Sequence, residues 1–275
     1  MMQEIDVKDW EDFERQVRDL RQQYAEHRAL VFRGLGDSTW PLTTTLERQE
    51  HVEMPFADYY RVIAASQPQI QTFSTTTWDE IATYPEIEKL VREYDAFHLH
   101  LWGGQFRGYG YMAYLRHLGF PSPLMDWTRS PYIAAFFAFR SATKPSESKV
   151  SVFVFCERTG DIRGWSISES QIFRLGPNVR THRRHYLQQG EYTLCLRWEL
   201  STPWRFVPHV TVFSRNDATQ DVLWKFNIPW AERTKVLKSL DDHNVNALSL
   251  FESDEALVET VALRQLTLGR IPEGV

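Results

Sequence analysis

Cysteine is scarce in this sequence: 275 residues hold only Cys156 and Cys195, each inside an apolar, strand-like run. That excludes a disulfide scaffold and points to two buried, reduced thiols. No apolar run approaches the roughly 20 residues that a membrane span requires, and the opening MMQEIDVKDW has neither a basic nor an apolar leader region. A cytoplasmic protein with no membrane partner is expected. Metal-ligand spacings of the His-Glu-x-x-His or Cys-x-x-Cys kind are missing, so no metal site is expected. There is no repeat, no low-complexity tract and no linker rich in Gly, Ser or Pro, which favours a single domain over residues 1–275. A basic excess is missing too. The net charge of −5 argues against non-specific nucleic-acid binding, although the cluster RTHRRHY at Arg180–Tyr186 leaves room for a phosphate-bearing ligand.

What is present is ample core material, 43% hydrophobic and 14% aromatic. Trp10, Phe13, Val17, Leu20 and Tyr24 recur at three- and four-residue steps, the mark of an amphipathic helix ending near Glu26 within an N-terminal segment 1–27. It feeds a strand, RALVFRG, at 28–34. The segment Glu86–Tyr94 and the segment Gly110–Leu118, the latter following LWGGQFRGYG, have helical periods and read as packing helices. The second half changes character. KVSVFVFCE (149–157), EYTLCLRWEL (191–200), HVTVFS (209–214) and DVLWKFNIP (221–229) are rich in β-branched and aromatic residues and read as strands. Two helices close the chain over 230–275, one from Trp230 to Leu240 and one opening at Ser253, where Ser253, Asp254 and Glu255 suit a cap and first turn. The predicted class is α+β: a mixed or antiparallel sheet drawn from 28–229, with flanking helices.

Three stretches carry candidate chemistry. In LVFRG, Arg33 puts a guanidinium where a core residue is expected, and a charge there needs a partner. In HLGFPSPLMDWTRSPYIAAFFAF, Ser130 and Pro131 form a good N-cap and first helical position for a helix apolar all round, whose N-terminus favours an anion. Asp126–Thr128 lie just ahead, in the position of a loop at a strand end. There Asp126 either caps the turn while Trp127 fills core, or both bind a ligand. In HYLQQGEYTLCL the polar pair Gln188 and Gln189 precedes Gly190, Glu191 and a strand, where such residues are commonly solvated.

Together these stretches resemble the FRG domain. The resemblance runs through Phe32-Arg33-Gly34, GDSTWPLTTTLER at Gly36–Arg48, RHLGFPSPLMDWTRSPYIAAFFAF, QQGEYTL and LSLFESDEALV at Leu248–Val258. One departure is Ser122-Pro123, where the family usually has Thr-Arg. A weaker resemblance is to ADP-ribosyltransferases of the arginine class, which show an aromatic-Arg-Gly, then Ser-Thr-Ser leading into a helix, then Gln/Glu-x-Glu on a later strand. The counterparts here are Phe32-Arg33-Gly34, Trp127-Thr128-Arg129-Ser130 and Gln189-Gly190-Glu191.

The resemblance implies an ADP-ribosyltransferase-like fold with NAD as substrate and ADP-ribose passed to an unknown macromolecular acceptor. Arg33, at Gly34, would hold the pyrophosphate, because a guanidinium offers a planar fork to phosphate oxygens. Trp127 would stack on nicotinamide, Thr128 and Ser130 would donate hydroxyls, and Asp126 and His117 would complete the binding set. Gln189 or Glu191 would take the ribose hydroxyl, and only Glu191 adds the negative charge that stabilises an oxocarbenium-like transition state. The alternative is a non-catalytic nucleotide-binding or sensing module in which Arg33 pairs structurally with Asp126. A nuclease or other hydrolase would draw on His117, His182 and His185.

Overall fold

The structure, a computed structural model, describes residues 1–24, 30–74, 76–78, 81–101, 106–157, 168–214, 217 and 220–269. Its strands are β1 (Met2–Asp6), β2 (Val31–Leu35), β3 (Met125–Thr128), β4 (Lys149–Cys156), β5 (Gln171–Arg174), β6 (Gly190–Arg197), β7 (Arg205–Phe206) and β8 (Val222–Pro229). The helices of the first half are α1 (Trp10–Gln23), α2 (Phe56–Phe73), α3 (Tyr84–Arg92), α4 (Tyr94–Leu101), α5 (Tyr109–His117) and α6 (Pro131–Phe139). Those of the second half are α7 (Arg184–Leu187), α8 (Val210–Phe213), α9 (Arg233–Asp242), α10 (Ala247–Phe251) and α11 (Asp254–Ala262). Among the described residues no helix is long and apolar enough to cross a membrane.

The strands form one open mixed sheet in the order β1-β8-β4-β2-β3-β6-β5, with β7 also on β6. β1 runs parallel to β8 and the other pairs are antiparallel. The α+β expectation of a mixed sheet with flanking helices is therefore met. Residues directly opposite each other in a ladder share a face, and this fixes what each face meets. Phe32 opposes Thr128, Thr128 opposes Gly190, and Asp126 opposes Tyr192, so these five look the same way. On that face two apolar clusters stand side by side. One joins α1, α6 and α9 to β2, β4 and β8 through Phe13, Phe32, Phe136, Val152 and Phe226. The other joins α2 to α5 to β5 and β6 through Tyr60, Met112, Phe173 and Leu194. The opposite face carries a third cluster around Val31, Trp127, Phe153, Cys195 and Phe213. Cys156 and Cys195 are both buried, and neither is joined in a disulfide.

Several expectations need correction. HVTVFS is not a strand: Thr211 bonds the Pro208 carbonyl through its amide and its hydroxyl, which closes the single turn α8 and turns Phe213 into the core. The DWT stretch is not a loop at a strand end but most of the inner strand β3. Unforeseen were the edge strand β1, whose sequence MQEID alternates only between exposed and half-buried, the short strand β5, and the long helix α2. The helix α1 stops at Gln23 with Tyr24 as its cap residue. Glu26, the first two residues of the expected 28–34 strand and residues 102–105 of LWGGQFRGYG lie outside the described residues. The helices expected after the sheet are present as α9 and α11, the latter capped by Ser253, whose hydroxyl accepts from the Ala256 amide at 3.3 Å.

Candidate functional site

β2 and β3 pair at one position only, Phe32 with Thr128, and then part. The Asp126 carbonyl lies past that pair, and a side chain takes it up. Arg33 Nη1 donates to it at 2.9 Å and reaches Asp126 Oδ1 at 2.8 Å. Arg116, in the last turn of α5, puts Nη2 2.5 Å from the same carboxylate oxygen. Above this gap, between the two helical clusters, a cleft of about 240 Å³ opens. Arg33, Gly34, Asp126, Trp127, Thr128 and His117 line it, as do Trp40, Arg48, Gln188, Gly190 and Tyr192. Gly34 is required by its depth in the fold, since a Cβ there would sit 1.9 Å from the Ala134 carbonyl oxygen of α6.

Electrostatically the cleft is positive. Burial opposes ionisation of Asp126, but Arg116 and then Arg33 outweigh it and hold the carboxyl well below the usual range. Arg48, which bonds only Thr43 among the described residues, has its pKa lowered by burial and by repulsion from Arg33 and Arg116. Two guanidinium groups thus share one carboxylate, and a third stands near enough to be repelled by both. Trp40 stands at the rim, 55% exposed. Its loop is pinned by Asp37, whose carboxylate accepts from the amides and hydroxyls of Thr39 and Ser146.

Against the sequence-predicted set, the cleft gathers some residues and leaves others out. Trp127 borders it along β3, yet its indole packs into the opposite face, with Nε1 donating to Thr193 Oγ1 at 2.9 Å and its ring 5.6 Å from that of Phe155. Trp127 is only 4% exposed, so its ring is not a stacking surface for nicotinamide. Thr128 donates its hydroxyl to the Gln188 carbonyl at 2.7 Å, so that proton is taken. Ser130 caps α6, accepting from the Ile133 amide, and does not line the cleft. Gln189 has φ +48° and serves as a turn: its carbonyl accepts from the Arg129 amide. Glu191 opposes Trp127 in the ladder and so faces away from Asp126. It is buried, with Arg174 Nε at 2.5 Å and Arg129 Nε at 3.8 Å. Sequence reasoning missed Arg48, Arg116, Trp40 and Tyr192. All four lie in the quoted motifs, and Arg116 immediately precedes His117, but α5 was read for packing alone. Ser122 in the Ser122-Pro123 departure is fully buried and ties down the loop ahead of Arg48, accepting at its carbonyl from the Leu46 amide.

A second depression, about 370 Å³, lies between α1 and the start of α6, by Phe13, Arg18 and Tyr132; none of the expected site residues lines it.

The cleft's floor and its guanidinium groups fall inside one stretch of chain that comparison with protein families identifies. Residues 28–147 match the FRG domain. The FRG match takes in Arg33, Arg48, Arg116, His117 and Asp126, and it stops before Gln188, Gly190 and Tyr192, which the rest of the sheet brings to the same cleft. No curated protein and no solved structure matches the chain. The FRG part of the sequence resemblance rests on this match, and nothing in the comparisons carries the likeness to ADP-ribosyltransferases.

Proposed function

We propose that the cleft binds a phosphate-bearing nucleotide, NAD being the one that the sequence resemblance implies. The observation that carries this reading is the surplus of positive charge at the cleft: Arg33 and Arg116 share the single carboxylate of Asp126, and Arg48, near enough to feel repulsion from both, pairs with no carboxylate among the described residues. A bound phosphate would offset the surplus positive charge, and guanidinium forks fit phosphate oxygens. Trp40, 55% exposed at the rim, offers a ring face to a base, a contact that contributes about 1–3 kcal/mol per base in comparable sites. Ligand pockets usually measure about 300–1,000 Å³. A cleft of about 240 Å³ therefore suits a phosphate and its sugar, with the rest of a dinucleotide along the rim.

Breaking the nicotinamide–ribose bond asks for more: a group near the developing cation, best a free carboxylate. Glu191 is paired with Arg174 on the other face, and Asp126 is engaged by two arginines. Those pairings favour a binding or sensing module over an ADP-ribosyltransferase or NAD glycohydrolase. Calorimetric titration with NAD, ADP-ribose and AMP, with nicotinamide as the phosphate-free control, tests the reading, together with an assay of nicotinamide release. Binding of the phosphate-bearing probes without release supports the module. Release would restore the transferase reading, and no binding by any of the three would end both.

A further inference from the structure

One group in the cleft has its protonation pattern fixed from a distance. His185 Nε2 lies 2.8 Å from the Pro177 carbonyl oxygen, which can only accept, so Nε2 carries the proton. In the neutral ring Nδ1 is then bare, and its partner at 3.3 Å, the Tyr192 hydroxyl, must donate to it. Tyrosine has one proton to give. The second contact of that hydroxyl, 2.6 Å from His117 Nε2, is therefore donated by the histidine. His117 in consequence holds its proton on Nε2 and leaves Nδ1 as a lone pair. Nδ1 makes no hydrogen bond among the described residues and is not fully buried, and His117 is one of the residues that line the cleft.

We infer that His117 Nδ1 is the cleft's acceptor for a ribose hydroxyl, in a tautomer set by the chain Pro177–His185–Tyr192. The inference rests on the nucleotide reading above and adds the sugar to it. Arg33 and Arg48 line the same cleft as His117, and Asp126, held by Arg33, acts on His117 as well. A phosphate gripped by the arginines thus brings whatever it esterifies up to Nδ1. Near neutral pH a phosphate monoester carries close to two negative charges and is essentially an acceptor, so the donor that Nδ1 requires has to come from the attached group. In a ribonucleotide that group is the sugar, whose hydroxyls lie a few bonds from phosphorus. A deoxygenated sugar leaves the lone pair without a partner, and sites built to bond a hydroxyl discriminate strongly against its absence.

The experiment has two arms on the full chain. In the first, ¹⁵N-labelled histidine is followed by NMR near pH 7.5. Wild type should show His117 protonated at Nε2 and bare at Nδ1, and Tyr192→Phe, which removes the link, should give a mixture of tautomers. A proton on Nδ1 in wild type overturns the inference whatever binds. In the second arm, AMP and 2′,3′-dideoxy-AMP are titrated into wild type, Tyr192→Phe and His117→Gln. Wild type should prefer AMP about tenfold or more, and that preference should shrink in Tyr192→Phe and vanish in His117→Gln. Equal affinity of wild type for the two probes overturns the inference while leaving the nucleotide reading standing, and no affinity for AMP, ADP-ribose or NAD brings down both. Should His117→Gln fail to fold, Tyr192→Phe and the tautomer measurement still decide.

Discussion

Arg33 and Asp126, 93 residues apart, are joined twice by one guanidinium nitrogen, which lies 2.9 Å from the aspartate's carbonyl oxygen and 2.8 Å from its carboxylate. The side chain thereby closes the sheet where β2 and β3 part. Its Nε is buried without a partner, so the arrangement is held by Nη1 and not by a full fork. Arg33→Ala leaves the Asp126 carbonyl unsatisfied and removes one of two charges from a carboxylate that is part exposed. The expected loss in urea unfolding is roughly 1–3 kcal/mol. A double-mutant cycle with Asp126→Ala should give a coupling of at least about 0.5 kcal/mol. Additive losses would show that the two groups touch without acting on each other.

Gly34 is where sheet and helix meet most tightly. A Cβ there would lie 1.9 Å from Ala134 O and 2.8 Å from Ala138 N, both backbone atoms of α6 that cannot turn aside as a side chain could. Gly34→Ala should cost at least about 3 kcal/mol, at the upper end of overpacking effects, and lower the melting temperature accordingly. By contrast Gly36, whose nearest backbone contact is 3.7 Å away, should accept alanine with a change within about 0.5 kcal/mol.

Why some of this was legible in the sequence and some was not follows from range. The strands β4, β6 and β8 announce themselves as runs of β-branched residues, and α1 by its period, because burial on one face is written locally. α8 is one turn long, and VTVF has the composition of a strand; only the Pro208 carbonyl decides otherwise. β1 lies at the edge, where half-exposed polar residues are tolerated. In the site, the order of motifs singled out Arg33, Asp126 and Gly190, which the sheet sets on the adjacent strands β2, β3 and β6. What it could not supply was register. A one-residue shift in β6 decides whether Glu191 or Tyr192 looks into the cleft, and that depends on its pairing with β3. Likewise nothing near Arg116 signals that its partner is Asp126, ten residues on and across a turn.

Two histidines, the half-buried His117 and the buried His209, give stability a pH dependence of known sign. Burial pushes His117 down to about 4; Asp126 opposes this, while His182, Arg116 and His185 add to it. Burial and Arg33 push His209 down to about 3, against the hydrogen bond with Thr193. Both rings are therefore neutral when folded and take up protons near pH 6.5 when unfolded. Stability should be fully present above that value and fall as pH drops toward 4, by up to about 1.4 kcal/mol per pH unit for each ring. The carboxylates Asp37 and Asp126 act lower, since their folded pKa values are depressed and their contribution is lost only below about 4. Urea unfolding at pH 7 and pH 5 measures the slope, and His209→Asn should reduce it. A stability that is flat from pH 7 to pH 5 would contradict neutral burial of the two rings.

Arg48 separates ligand binding from folding better than its neighbours do. It is exposed as a residue, bonds only Thr43 among the described residues, and pairs with no described carboxylate, so its removal leaves no buried group stranded. Arg33 and Arg116 are tied to Asp126, and changing either alters the floor of the cleft along with its charge. Arg48→Ala should hence leave the unfolding free energy within about 0.5 kcal/mol of wild type, or raise it slightly by relieving the repulsion from the other two. Affinity for AMP or ADP-ribose should meanwhile fall by about 10- to 100-fold, the loss of one charge-assisted contact worth roughly 1.5–3 kcal/mol. Arg48→Lys keeps the charge but not the fork and should recover only part of the affinity. Raising the salt concentration should weaken binding to wild type more than to Arg48→Ala, because one fewer charge is there to be screened. Calorimetry at two ionic strengths reads both effects at once. An unchanged affinity with an unchanged salt dependence would remove Arg48 from the anion grip and leave the phosphate to Arg33 and Arg116.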